Sequence, residues 1–313
     1  MAASALRRPR RRLKIFSDQI WLWLFVLPGI VFFILFAYLP MFGAAMAFQR
    51  FNPLLGVTGS PFVGLDNFRR IMMMPQFKKA FMNTVVISSM KLAIGFPLGI
   101  VFALMLNEVR RTTLKRSIQT ITYLPYFISW VIAAGIWYKF LSIDHGIVNE
   151  LLTALGLTEK PLFFMGDNRY FYPIVMITDL WKGLGFGAII YLAALSGINP
   201  EIYEAAAVDG AGRFRRIWHI SLPSIQSVIV LMLILSASGL MNAGFDQMWT
   251  LGNHANREVS EILDTLVLRT LTTTGIHGLS YGAAMNLFQA VIGLALFFVC
   301  NFTARKLTGE SLI

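Results

Sequence analysis

Charge is scarce in this sequence, and what there is lies in patches. Of 313 residues, 14% are Asp, Glu, Lys or Arg and 56% are hydrophobic, whereas a soluble domain carries about 25% charged residues. An ordinary soluble globular domain is thereby excluded. Cysteine is reduced to Cys300, which rules out an internal disulfide and a cysteine-based metal site. The pattern G-x-x-x-x-G-K-[ST] is missing, so the chain has no phosphate-cradling P-loop for ATP. H-E-x-x-H is missing too, and the four histidines, His145, His219, His254 and His277, are scattered. A paired nucleophile and base at membrane depth is also lacking, which argues against an intramembrane enzyme.

What the chain has in excess is apolar length. No Asp, Glu, Lys or Arg falls between Ile20 and Phe48, Ser117 and Tyr138, Gln226 and Phe245, or Tyr281 and Ala304. Two further runs carry isolated charges: Ala80 to Leu106 with Lys91, and Phe171 to Leu195 with Asp179 and Lys182. Roughly 20 apolar residues cross a bilayer as a helix. Backbone groups in lipid need internal hydrogen bonds, and runs this long do not read as barrel strands. The sequence therefore predicts an all-α polytopic membrane protein. Its six transmembrane helices fall near 20–41, 79–106, 117–140, 171–195, 224–246 and 280–303.

The net charge of +11 fits this picture better than nucleic-acid binding. Fifteen basic residues fall in the N-terminal tail (Arg7, Arg8, Arg10, Arg11, Arg12, Lys14), the second-to-third connection (Arg110, Arg111, Lys115, Arg116), the fourth-to-fifth connection (Arg213, Arg215, Arg216) and the C-terminal tail (Arg305, Lys306). The opposite connections hold nine: Arg50, Arg69, Arg70, Lys78, Lys79, Lys160, Arg169, Arg257 and Arg269. This bias places both termini in the cytoplasm. A basic start followed by an apolar run resembles a signal peptide, but the run is too long and no small-residue cleavage site follows, so a retained first helix is expected.

The expected organisation is a basic cytoplasmic tail over 1–19, a six-helix permease domain over 20–305 and a C-terminal tail over 306–313, with a cytoplasmic loop at 196–223. An outer segment near 141–170 is expected to hold a short helix at 147–155, capped by Asp144 or Gly146 and ended at Gly156. Pro28, Pro97 and Pro125, with Gly29, Gly95, Gly99, Gly135, Gly183, Gly185 and Gly187, lie inside the spans. They serve close packing of a bundle or the kinks of a pathway that opens and closes, and sequence leaves both readings open.

The loop carries the sharpest signal. Asn199 is a helix cap, Pro200 fits the first turn and Glu201 suits the positive end of the dipole. Ile202, Tyr203, Ala205, Ala206 and Ala207 continue the helix, and Asp209-Gly210 breaks it with a left-handed turn. A second amphipathic piece follows from Arg213, with Phe214, Ile217 and Trp218 or Ser221 at helical spacing, and Pro223 is expected to open the next span. Two short helices at an angle should result. Their alanine patch admits a close partner surface, and Glu204 and Asp209 offer carboxylates.

This stretch resembles the EAA loop of binding-protein-dependent ABC importer permeases. Glu204, Ala205, Ala206, Asp209, Gly210, Ala211, Ile220, Leu222 and Pro223 all match in order and spacing. Other segments are similar to the carbohydrate-uptake branch, chiefly permeases of alginate- or pectin-type oligosaccharides: FVGLDNF at 62–68, LNEVR at 106–110, YLPYFISW at 123–130 and residues 181–195. The resemblance implies a type I ABC importer fold in a bacterial inner membrane. It implies coupling helices docked on an ATPase, a second homologous permease, two ATPase subunits that bind ATP and Mg, and a periplasmic or lipid-anchored solute-binding protein. The implied function is import of oligosaccharides by alternating access, acidic ones in the first instance and neutral ones as the alternative.

Charged residues inside spans are functional candidates by default. Asp179 and Lys182 stand three apart and can pair with each other, or Lys182 can reach the coupling segment. Alternatively, Lys91 or Lys182 lines the cavity and attracts a carboxylated sugar, with Arg50, Arg69, Arg70, Lys78 and Lys79 drawing it in or docking the binding protein. Trp181, Tyr191 and Trp249 are candidates for stacking on sugar rings, and Asn242 and Gln247 for hydrogen bonds. A stand-alone secondary transporter would need its own coupling-ion carboxylates, and Asp179 alone supplies them poorly.

Overall fold

The structure, a computed structural model, describes residues 20–308; the tail 1–19 and residues 309–313 of the C-terminal tail lie outside the described residues. Among the described residues the only β feature is an isolated bridge between Gln49 and Phe62. Four helices are continuous and long and apolar enough to cross a membrane: Leu22–Phe48, Pro75–Asn107, Asn168–Ser196 and Gly275–Lys306. Two more spans are bent pairs, Thr112–Phe127 with Trp130–Phe140 and Arg213–Ser224 with Gln226–Met241. The count reaches six when each bent pair is one span. The fourth span is central, with 44% of its apolar window buried, while none of the first span's is.

Several deformations of the spans lie just ahead of prolines, although Pro28 and Pro173 sit within regular α-helix. Pro75 opens the second span in its first turn, where its missing N–H costs nothing. Three π-helical turns, Ile34–Tyr38, Lys91–Gly95 and Ile217–Ser221, each end two residues before a proline: Pro40, Pro97 and Pro223. A proline ring collides with the carbonyl four residues back, and a widened turn ahead of it makes room without breaking the helix.

The third span departs most from its expected form. It is broken, not kinked, with a bend of 104°. The first half ends in a 3-10 turn over Leu124–Phe127, Ile128 is extended, and Ser129 caps the second half by accepting from the Ile132 N–H at 3.4 Å. The end of a helix leaves carbonyls without partners, and Lys182 of the fourth span supplies them. Its Nζ donates to the carbonyls of Pro125, Tyr126 and Ile128 at 3.3, 2.6 and 2.6 Å. It also lies over the rings of Tyr126 and Trp130. Gly185 lets the two elements meet, since a Cβ there would stand 2.4 Å from the Thr122 carbonyl. The expected pairing of Lys182 with Asp179 is therefore corrected. Two side chains three apart on one helix have turned to different neighbours because each finds a better partner across the bundle. Lys182→Met removes the ammonium from the Tyr126 and Ile128 carbonyls, while the Pro125 carbonyl keeps the Ile128 N–H at 3.2 Å, at a cost of about 1–3 kcal/mol. It should lower the thermal unfolding midpoint of the purified protein by roughly 5–10 °C, and Lys182→Arg should recover only part.

The fifth span is also corrected. Pro223 does not open it; the residue ends the preceding element, in the turn Leu222–Ser224, and the membrane helix starts at Gln226 after a 64° bend at Ile225.

The segments expected on the outer side hold more helix than expected. Beyond the expected helix Ile147–Ala154, capped at Gly146, there are Asp66–Met73, Phe245–Leu251, Arg257–Ser260 and Leu263–Thr273. Buried asparagines lace them to the bundle. Asn67 donates to the carbonyls of Ala47 and Gln49, and Asn83 to those of Glu258 and Glu261. Asn149 donates to the carbonyls of Ser142 and Leu162 and accepts from the Leu162 N–H. Each amide replaces the partner that an irregular backbone lacks when buried.

Candidate functional site: a central cavity and an elbow

A cavity of about 380 Å³ lies between the second, fourth and fifth spans. Small residues open it: Gly95 and Gly99 from the second span, Gly183 and Gly187 from the fourth, Gly239 from the fifth. Lys91, Asp179, Tyr191 and Asn242 line it, together with Ser88, Ser236 and apolar side chains.

Lys91 stands at the start of the π-turn of the second span, and its Nζ is fully used. It pairs with Asp179 Oδ1 at 2.8 Å, donates to Gln247 Oε1 at 2.6 Å and to the Ala243 carbonyl at 3.0 Å. An ammonium has three donors, so none is left for a ligand while this network holds. Gln247, fully buried, is fixed by donating to the Val175 carbonyl and Thr178 Oγ1, both at 2.8 Å. The charge of the cavity is thus cancelled internally. What it offers a guest are hydroxyls, the Asn242 amide and the second oxygen of Asp179. Ser88 Oγ is buried with no partner.

Of the side chains selected from the sequence for this role, Lys91, Tyr191 and Asn242 reach the cavity and Gln247 stands behind it. Lys182 serves the third-span break. Trp181 packs edge-on against Trp137 at 5.8 Å between centroids. Trp249 belongs to a separate pocket. Gly95, Gly99, Gly183 and Gly187, for which the sequence left packing and pathway both open, line the cavity, whereas Ser88, Ser236 and Gly239 carry no local pattern that separates a lining position from a packing one.

The elbow follows the fourth span. Helix Pro200–Val208 is capped by Asn199, whose Oδ1 accepts from the Glu201 N–H at 3.1 Å. It ends in a Schellman motif: Gly210 N–H donates to the Ala207 carbonyl at 3.1 Å and Ala211 N–H to the Ala206 carbonyl at 2.8 Å. That closure needs a left-handed residue, and Gly210 has φ +77°. The chain then enters Arg213–Ser224, tied back by Tyr203 Oη and Ser221 Oγ at 2.9 Å. Glu204, Ala205, Asp209 and Gly210 are exposed, Ala206, Ala211 and Ile220 half-buried, and Leu222 half-buried against the bundle. Val208, Phe214 and Trp218 are 89%, 89% and 70% exposed. Through the bend at Ile225 the elbow runs directly into the helix that gives Met232, Ser236, Gly239 and Leu240 to the cavity.

A bundle of apolar helices around a lined cavity, with an exposed elbow joined to one of the lining helices, defines a membrane permease. Residues 95–308 match the family described as "Binding-protein-dependent transport system inner membrane component", and the chain belongs to that family, as an inner-membrane permease of the sugar-importing kind. It is 42% identical over 292 residues to Protein LplB of Bacillus subtilis (strain 168), covering 93% of this chain and 91% of the relative. It is 41% identical over 307 residues to the polygalacturonan/rhamnogalacturonan transport system permease protein YteP of the same organism, covering 98% and 94%. Its fold matches a chain in the crystal structure of a bacterial ABC transporter involved in the import of the acidic polysaccharide alginate, at 35% identity and TM-score 0.85, covering 96% and 100%. A second alginate transporter structure, in complex with an alginate pentasaccharide-bound periplasmic protein, matches at 34% identity and TM-score 0.86, covering 97% and 100%.

Proposed function

We propose that this chain is one half of the transmembrane gate of an ATP-driven importer of acidic oligosaccharides. The second half is a related permease, two ATPase subunits bind ATP and Mg and dock on the elbow, and a solute-binding protein delivers the sugar. The observation that carries this reading is the continuity of the elbow with the cavity wall: Arg213–Ser224 and Gln226–Met241 meet at one bend. Movement of a protein seated on the elbow reaches the cavity through a single joint. The exposed Val208, Phe214 and Trp218 supply the apolar anchors that such a seat needs. Glu204, Ala205, Ala206, Asp209, Gly210, Ala211, Ile220, Leu222 and Pro223 form its frame. Both termini lie on the elbow's side of the membrane, as the distribution of Lys and Arg supports, with the domain occupying 20–305 between the two tails. The chain itself catalyses nothing.

The acidic substrate rests on the relatives, whose printed substrates are polygalacturonan/rhamnogalacturonan and alginate. The closed Lys91–Asp179 pair favours the second reading, neutral oligosaccharides, because the cavity shows hydroxyls and acceptors in place of a free cation. The test is stimulation of ATP hydrolysis in the complex reconstituted with its partner permease, ATPases and binding protein. Galacturonate and alginate oligosaccharides should stimulate; stimulation by neutral glycans alone would select the second reading.

A further inference from the structure

A second pocket, about 200 Å³, opens at the far end of the fifth span from the elbow. The helix Phe245–Leu251, seven residues or about 10 Å long, gives Met248 and Trp249 to its lining. Asn242, three residues before this helix, lines the inner space, and Trp249 of the helix lines the outer one, with the buried Gln247 between them in the chain. Trp249 is 48% exposed and stacks on Phe245, ring centroids 5.8 Å apart and planes 17° apart. Facing it are Asn253, His254, Arg257, Glu261 and Arg269.

The charges here are not cancelled. Arg269 is held by Glu261. Among the described residues Arg257 meets only the imidazole of His254, its Nη2 donating to Nδ1 at 3.2 Å, and the carboxylate next to it, Glu258, is taken by Lys79 at 2.6 Å. The guanidinium of Arg257 keeps donors in the planar fork that fits a carboxylate. The wall behind it is rigid. Asn253 donates to the Met165 carbonyl and accepts from the N–H groups of Ala255 and Asn256, and the buried Asn256 holds the carbonyls of Met165 and Leu251.

We propose that this outer pocket is a subsite for one carboxylated sugar ring, with Trp249 offering its face to the ring and Arg257 its guanidinium to the carboxylate. The inference deepens the acidic-oligosaccharide reading and rests on it. It assigns recognition of acidity to a place outside the central cavity, where Lys91 has no donor to spare. A chain of rings long enough to span both spaces would have one ring hydroxyl-bonded within and one carboxylate read without.

The test uses the full reconstituted complex with the binding protein saturated by sugar, so that discrimination by the binding protein drops out. Uptake of a galacturonate tetrasaccharide is compared with that of the same molecule after its carboxyls are reduced to alcohols. The wild type should move the acidic form faster. Arg257→Gln should cut the acidic rate about tenfold, the loss expected for one charge-assisted hydrogen bond, and bring the ratio of the two forms towards one. Arg257→Lys should restore part of the ratio, and Trp249→Ala should slow both forms. Equal slowing of both forms by Arg257→Gln, or no slowing, overturns the subsite. So does loss of docking of the sugar-free binding protein in Arg257→Gln, which would make Arg257 a contact for that protein. A wild type that moves only the reduced form overturns the acidic reading itself, and the wild-type measurement alone reveals this.

Discussion

Gly210→Val should abolish ATP-driven uptake and release the ATPase subunits from the complex, while the chain still inserts and folds in the membrane. The position has φ +77°, and a Cβ there would meet nothing within 4 Å. The penalty is therefore one of backbone strain alone, about 1–2 kcal/mol for an L-residue in the left-handed region, and more for a β-branched one. The hydrogen bonds from Gly210 and Ala211 to the end of the first elbow helix depend on that conformation. When they open, the two elbow helices lose their fixed angle, and a partner surface shaped to both finds only one. Because the strained turn lies outside the bundle, the membrane helices keep their packing. Gly210→Asn, which tolerates the left-handed region, should retain most activity. Glu204→Lys, on the exposed face, should also lose the ATPase without altering the chain's own stability. The measurements are uptake in proteoliposomes and recovery of the ATPase with the affinity-purified permease; normal uptake by Gly210→Val would remove the elbow from the mechanism.

The second large effect is expected at Lys91. Lys91→Met strips Asp179 of its cation and leaves Gln247 Oε1 and the Ala243 carbonyl without a donor. The pair is partly open to the cavity, with side chains 19% and 30% exposed. The loss should therefore fall at or below the low end of the about 3–5 kcal/mol seen when a buried pair is broken. Asp179→Asn keeps an acceptor beside the ammonium and should be milder. Lys91→Met combined with Asp179→Leu removes both charges and should be more stable than Lys91→Met alone, a coupling that thermal unfolding of the four proteins measures directly. Uptake by Lys91→Met should fall by more than tenfold, since the ammonium joins the second span, the fourth span and the helix after the fifth across the cavity. Equal stability of Lys91→Met and the double variant would show that the pair does not hold in the membrane.

Much of this architecture is written locally. Charge-free runs of helical length locate the spans, and Asn199, Pro200 and the Asp209-Gly210 pair delimit the first elbow helix to within a residue. What the sequence conceals are partnerships between distant positions. Lys182 and Asp179 are neighbours on one helix, yet one reaches residues 125–128 and the other Lys91, and no local spacing foretells that choice. Pro125 announces a disturbance in the third span. The 104° break also needs an ammonium that stands 57 positions away. The short helices between the spans are hidden for another reason: pieces such as Arg257–Ser260 form because buried asparagines hold their ends, not because their residues favour helix.

The fourth span presents its two faces to different tasks. One face, through Asp179, Gly183, Gly187 and Tyr191, walls the cavity; the other, through Lys182, clasps the severed third span. The clasp is a tethered ion in a nest of carbonyls, so the corner it holds travels with the wall as one piece. Any tilt of that wall must swing the corner as well, which leaves the fifth span's own joint as a hinge that can reshape the cavity without disturbing the clasp.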